Sequence, residues 1–203
     1  MKENIADFGK SEVKEVNIDE YYDHISFVTG DKLEVTSYFP EDELPEVTFE
    51  NGVLNITQDY PKSDLTLRIH TNDKQYSTKI VLPEGTIPEN IDIQGHDVDI
   101  AMNAITGHNL SIDLDDSDIT VVSSKFSDVT TKDGDGDISL DGEFGKVDVN
   151  TNDGELILKG KYEEINANTS EGDITVDTES EIDINKVRVH TGDGEMTVNG
   201  YKW

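Results

Sequence analysis

The stretch that decides the fold runs from Val129 to Val198 and repeats one phrase four times: VTTKDGDGDISL (129–140), VNTNDGELIL (149–158), ANTSEGDITV (167–176) and VHTGDGEMTV (189–198). The shared pairs Gly136-Asp137, Gly154-Glu155, Gly172-Asp173 and Gly194-Glu195 stand 18, 18 and 22 residues apart. A unit this short cannot bury its own apolar face and must stack on its neighbours, so the repeat predicts an all-β chain, a parallel β-helix or β-solenoid. Reading backward in register, two looser copies stand at IDIQGHDVDI around His96-Asp97 and at SIDLDDSDIT around Ser117-Asp118. About six short coils follow, with anchors at residues 96, 117, 136, 154, 172 and 194.

Stacked coils place like residues on like. The alternation predicts one inward column of Val98, Ile119, Ile138, Leu156, Ile174 and Met196, and a second of Ile100, Val121, Leu140, Leu158, Val176 and Val198. A third precedes each turn at Ile91, Ile112, Val149, Ala167 and Val189, with Val129 joining through a two-residue insertion in DGDGD. Asp99, Thr120, Ser139, Thr175 and Thr197 then face outward, with Ile157 as the exception. The glycine of each DG or EG pair is expected to supply a positive φ at its turn.

Upstream, residues 10–82 read as short strands: VKEVNI, HISFV, KLEVTSYF, EVTFE, VLNIT, LTLRIHT and YSTKIVL. Asn51-Gly52 between EVTFE and VLNIT is a hairpin signal, because both residues tolerate positive φ. All five prolines precede residue 89, whereas 12 of the 16 glycines lie at or after Gly95. That shift divides a strand-rich N-terminal region, residues 1–88, from the repeats at 89–203, and leaves open whether the first region continues the solenoid. Tyr201 and Trp203 are expected to cover the open end of the last coil.

The net charge of -29 excludes several function classes. Residues 1–85 contribute 18 acids against 8 bases, and residues 86–203 contribute 27 against 8. Such a field repels nucleic acids and anionic membranes and favours cations or basic partners. With no cysteine there is neither a disulfide nor a thiolate metal site. No run of about 18 apolar residues is present, so no membrane insertion is expected from this sequence. The chain is therefore either cytoplasmic or carries an export signal or anchor outside this sequence.

These residues carry a resemblance. A strand-rich beginning, then KIVLPEG (79–85), then tandem T-x-D/E-G-D/E coils, resembles the bacterial putative-adhesin family of unknown function that includes LiaG-like envelope proteins. The likeness runs from about Glu12 to Trp203. It implies an all-β fold, a right-handed parallel β-helix or β-solenoid, an extracytoplasmic or cell-surface position, a link to envelope stress sensing, and no known enzymatic activity.

Candidate chemistry is confined to acids and aromatics. Asp97, Asp118, Asp137, Glu155, Asp173 and Glu195 are expected to form a ladder one strand spacing apart, either accepting turn N–H bonds or attracting cations. Asp133, Asp135 and Asp137 alternate as calcium ligands do, but Ile138 and Phe144 stand where an EF-hand loop needs Gly and Glu. A solvated turn is the preferred reading, and calcium is the alternative. Phe126, Phe144 and Tyr162 recur every 18 residues, with Ile184 after another 22, and read as a core column rather than a platform for sugar rings. His24, His70, His96, His108 and His190 form no metal-binding spacing, and no nucleophile motif is present. The expected function is a non-enzymatic envelope scaffold with a protein, glycan or cationic peptide as partner. An acidic binder of cationic peptides or basic proteins is the alternative, and a polysaccharide-active β-helix enzyme is a second one.

Overall fold

The computed structural model describes residues 1–59, 76–179 and 182–202. The expected strand LTLRIHT, with His70, and the terminal Trp203 lie outside the described residues. Six strands precede the repeats: β1 (Lys2–Gly9), β2 (Glu15–Gly30), β3 (Leu33–Phe39), β4 (Glu46–Glu50), β5 (Val53–Thr57) and β6 (Ser77–Pro83). The repeats supply β7 (Asn90–Asn103), β8 (Thr106–Asp113), β9 (Ile119–Lys132), β10 (Ile138–Asn150), β11 (Leu156–Thr169), β12 (Ile174–Thr178), β13 (Val187–Thr191), β14 (Met196–Val198) and β15 (Tyr201–Lys202). All belong to one hydrogen-bonded sheet that winds as a solenoid, and a 3-10 turn at Ile184–Lys186 is the one helical element among the described residues.

From β7 downward, each rung pairs in parallel with the next, as stacked coils require. The first inward column is Ile25, Ile100, Ile119, Ile138, Leu156, Ile174 and Met196, and the second is Phe27, Met102, Val121, Leu140, Leu158, Val176 and Val198. Apart from the lowest rung these side chains are at most 2% exposed. The expected columns hold from Ile119 down but slip by two residues above it: Ile100, not Val98, stands on Ile119. Ala101 therefore stands over Thr120, where Asp99 was expected.

On the other half of each coil the columns are Val16, Ile91, Leu110, Val129, Val147, Ile165 and Val187, then Ile18, Ile93, Ile112, Thr131, Val149, Ala167 and Val189. The expected third column mixed the two, because Ile91 and Val129 belong to the first. No insertion exists in DGDGD. Thr131 fills the apolar column, fully buried, with its hydroxyl oxygen unpartnered. What separates 19-residue from 18-residue coils is a corner bulge: Ser123 (φ 52) is the extra residue of β9 against β10, and Ala104 (φ 57) precedes it by one coil.

β2 is a full rung, pairing with β7 from Glu15–Asn90 to Phe27–Met102. VKEVNI and HISFV are thus one strand, which turns at Tyr22 (φ 57). On its outer edge β5 covers residues 15–19 and β6 covers residues 25–30. β3 pairs with β6, and β1 pairs with β3 as an unexpected N-terminal strand. The upper end is thereby covered with sheet, which satisfies backbone groups that an open edge would expose. The Asn51-Gly52 hairpin forms as read, with φ of 55 and 87, between antiparallel β4 and β5.

At the lower end, β14 folds back through Asn199 (φ 47) and Gly200 (φ 77) into β15, which covers its edge. The cap is made by backbone, since the Tyr201 side chain is 75% exposed. Ile184 does not continue the aromatic column: it lies in the 3-10 turn, 60% exposed.

Candidate functional site

Each coil closes through a seven-residue turn, and strand register aligns the turns position by position. The sequences are IQGHDVD (93–99), IDLDDSD (112–118), TKDGDGD (131–137), VNTNDGE (149–155), ANTSEGD (167–173) and VHTGDGE (189–195). Four positions in this alignment carry the physics.

The sixth position is Val98, Ser117, Gly136, Gly154, Gly172 and Gly194. The four glycines do not adopt positive φ, contrary to expectation. They are required because coils approach closely: a Cβ on each would lie 1.8 to 1.9 Å from the carbonyl oxygen of the equivalent residue one coil above.

The seventh position is Asp99, Asp118, Asp137, Glu155, Asp173 and Glu195, so Asp99 rather than Asp97 heads the ladder. These acids are mostly consumed by the fold. Asp99, Asp118, Asp137 and Asp173 each accept the N–H of the next coil's equivalent residue, at 3.1, 3.1, 2.8 and 2.8 Å. A carboxylate that bridges rungs in this way is a clamp, not an open ligand site.

The fifth position is a second ladder that sequence reading missed: Asp97, Asp116, Asp135, Asp153, Glu171 and Asp193. Below Asp97 every member is exposed, and among the described residues none of their side chains makes a hydrogen bond or ion pair. Neighbouring members stand about one strand spacing, 4.8 Å, apart. Burial holds Asp97 and Asp135 above the usual carboxylate range, and the neighbouring Asp115 and Asp116 push both the same way, with Asp153 adding to Asp135. At its top, His96 Nδ1 lies 3.3 Å from Asp115 and Nε2 3.6 Å from Asp97, with the Tyr22 ring edge-on to the imidazole. His24 stands 3.9 Å from Asp99.

The third position lies inside the turn: Gly95, Leu114, Asp133, Thr151, Thr169 and Thr191. The three threonines donate to carbonyl oxygens of the coil above, Thr151 to Gly134 and Gly136, Thr169 to Asn152 and Gly154, and Thr191 to Gly172. Asp133 occupies this place with a carboxylate, 5% exposed, neither oxygen of which has a side-chain hydrogen-bond partner. Burial pushes its pKa up to about 6.

The expected calcium residues are therefore not brought together. Asp133 points inside the turn, Asp135 belongs to the exposed ladder, and Asp137 clamps Glu155. Among the described residues, the ligand atoms that gather within 4.8 Å of one another are those of His96, Asp97 and Asp116.

Two further acids are buried away from the turns. Glu20 is fully buried and Asp23 is 5% exposed, both at the bend of β2. Burial holds the Glu20 carboxyl well above its usual range, and the adjacent Asp23 carboxylate pushes the same way. Thr78 donates to Glu20 Oε1 at 3.0 Å. A proton retained on Glu20 and directed at Asp23 accounts for the one oxygen on each that otherwise lacks a partner.

The aromatic column is core, as read. Phe126, Phe144 and Tyr162 are 2%, 3% and 5% exposed, and the Phe144 and Tyr162 rings pack at 5.4 Å. The phenol donates to Leu140 and Lys159 carbonyls at 2.7 and 3.0 Å. A shallow groove of about 730 Å³ runs over this column, and its rim carries Lys125, Glu143 and Lys161 paired at 3.3 and 3.0 Å. Those three charges are satisfied by one another, unlike those of the exposed ladder. No helix of the described residues is long and apolar enough to cross a membrane.

The family model described as Toastrack DUF4097 matches residues 13–202. No curated protein matches the chain in sequence. Among solved structures, a putative adhesin from Bacteroides fragilis NCTC 9343 superposes with a TM-score of 0.62 at 15% identity, covering 97% of this chain and 96% of that one. A putative adhesin from Parabacteroides merdae ATCC 43184 gives a TM-score of 0.50 at 12% identity, over 96% and 95% of the two chains. The likeness is one of fold.

Proposed function

Because the chain belongs to the Toastrack DUF4097 family, whose model spans residues 13–202, we propose that it is a non-enzymatic interaction module of the bacterial cell envelope, displayed outside the cytoplasm. The adhesin names carried by structures of the same fold support the surface position. Its working face is the exposed acid ladder, and its partners are cationic peptides or basic protein surfaces. One observation carries this reading: of two parallel acid columns on one edge, the fold uses one as hydrogen-bond clamps and leaves the other free below Asp97. Five aligned carboxylates below Asp97, at strand spacing, match a lysine-rich segment, and the overall charge of -29 steers such a partner in. A link to envelope stress belongs to the same reading, since a cationic membrane-active peptide is a partner that this surface would register.

The test is binding of an immobilised lysine-rich peptide, titrated with salt. The intact chain should bind at low ionic strength and weaken steeply as salt rises. A variant with Asp116→Asn, Asp135→Asn, Asp153→Asn and Glu171→Gln should lose at least tenfold in affinity. Binding that ignores both salt and these four changes, or turnover of a polysaccharide, would contradict the proposal.

A further inference from the structure

The lower end of the solenoid stops in mid-core. In the coils above, the column residues are at most 3% exposed, but in the last coil Val187, Val189 and Met196 are only partly buried. With Ile184 and Val198 they line an apolar hollow of about 300 Å³. β15 covers the edge of β14, whereas β13 pairs with β11 on one side and, among the described residues, with no strand on the other. An open edge presents a row of backbone N–H and C=O groups that another strand can take up.

Charge sets this end apart from the rest of the chain. Residues 86–181 contribute 24 acids against 5 bases, whereas residues 182–203 contribute three of each: Asp183, Asp193 and Glu195 against Lys186, Arg188 and Lys202. A second copy of a chain that carries -29 is repelled by the coils above, and only the last coil offers a neutral approach. What would continue the apolar columns is a strand with apolar residues at alternate positions, which the V-R-V of β13 itself supplies. We propose that the lower end is a dimer interface at which two copies of this chain meet tail to tail, β13 against β13, antiparallel and centred on Val189. A two-fold axis demands the antiparallel sense and closes the assembly at two, so no fibre follows. Val187 of one copy then faces Thr191 of the other, and Val189 faces Val189, so that each apolar hollow is covered by the partner's strand. Arg188 faces His190 on the outer side, where Glu164 already stands 3.6 Å from the guanidinium. The interface is separate from the exposed ladder, since Asp116, Asp135, Asp153 and Glu171 lie in the coils above it. Salt distinguishes the two: screening weakens the pull of the ladder on a cationic peptide but strengthens the association of two like-charged copies.

The experiment is sedimentation of the full chain across a range of concentrations, at low and at raised salt. A species of twice the 22.6 kDa of the chain should predominate by about 100 µM at about 0.15 M salt, and should gain as salt rises. Ile184→Asp combined with Arg188→Glu, both at exposed positions, should remain folded and raise the dissociation constant at least tenfold. Ile5→Asp, at an equally exposed position of β1 at the other end, should leave it unchanged. In a chain without cysteine, Val189→Cys should form an intermolecular disulfide on mild oxidation, because antiparallel partners stand about 4.5–5.5 Å apart between Cα atoms, and Val122→Cys should not. The proposal is overturned by a monomer at every concentration, by a dimer that ignores the changes at residues 184 and 188 or is lost with Ile5→Asp, or by a Val189→Cys protein that stays reduced. A monomer that dimerises only once Trp203 is deleted would make the chain's own last residue the occupant of the hollow, and would overturn it equally.

Discussion

Substitution of Gly154 tests why the turns contain glycine. An added Cβ would lie 1.9 Å from the Gly136 carbonyl oxygen and 3.2 Å from Thr151 Oγ1, whereas contacts below 3.0 Å essentially never occur. The coils must therefore part by about 1.1 Å against a rung spacing of about 4.8 Å. The bonds in reach of that movement include Thr151 Oγ1 to Gly136, Thr169 Oγ1 to Gly154, and Asn152 N–H to Gly134. Losing two or three of them at about 1 kcal/mol each, with about 1–3 kcal/mol of overpacking, makes Gly154→Ala destabilising by about 3–5 kcal/mol. At about 2–4 °C per kcal/mol, the midpoint should fall by about 10 °C. Urea and thermal unfolding of Gly154→Ala and Gly154→Asn measure it. Asparagine tolerates positive φ, so a turn that needed only backbone freedom would accept Asn better than Ala. Close approach predicts that both are equally damaging. A Gly154→Asn protein close to the parent in stability would refute the reasoning.

Glu20→Gln probes the buried acid pair. A carboxyl whose pKa is raised by folding contributes its stability below the unfolded value, about 4.3, and loses it as pH rises toward the folded value. The parent should therefore lose stability relative to Glu20→Gln as pH rises above about 4, read as diverging melting temperatures; a gap that stays constant with pH would argue against a retained proton. Tyr162→Phe removes the donor to the Leu140 and Lys159 carbonyls while keeping the ring, and should cost about 1 kcal/mol, measured by urea unfolding. No change would mean that solvent already serves those carbonyls.

Much of this architecture was legible in the sequence because repetition fixes it. From Ile138 down, the spacing of Gly-acid pairs aligns strands that the structure pairs residue for residue. Above Ile119 the register was misread by two residues, and the reason is physical. A slip of one residue turns every side chain to the wrong face, but a slip of two preserves the alternation, so the hydrophobic pattern cannot detect it. His96-Asp97 imitates the anchor of the other coils and concealed Asp99. The same imitation conceals the exposed ladder, since the sequence pattern puts Asp97 in line with Asp118 whereas the structure aligns it with Asp116. β2 was split in two because Glu20 and Asp23 look like solvent-facing breaks, although both are buried. The role of the turn glycines was the least legible feature. A close approach between coils leaves no local mark, and the DG dipeptide suits either explanation. Asp133 looked like one of three alternating calcium ligands, and only the stack of threonines beneath it shows that it stands alone inside the turn.

The claim that the free acid column is the working face is tested most directly by residue-resolved NMR of the 22.6 kDa chain during titration with a lysine-rich peptide. The account predicts that amide shifts concentrate at Asp116, Asp135, Asp153 and Glu171, and that the face carrying Lys125, Glu143 and Lys161 stays unchanged. Shifts centred on that basic-rimmed groove, or spread evenly over the acidic surface, would contradict it.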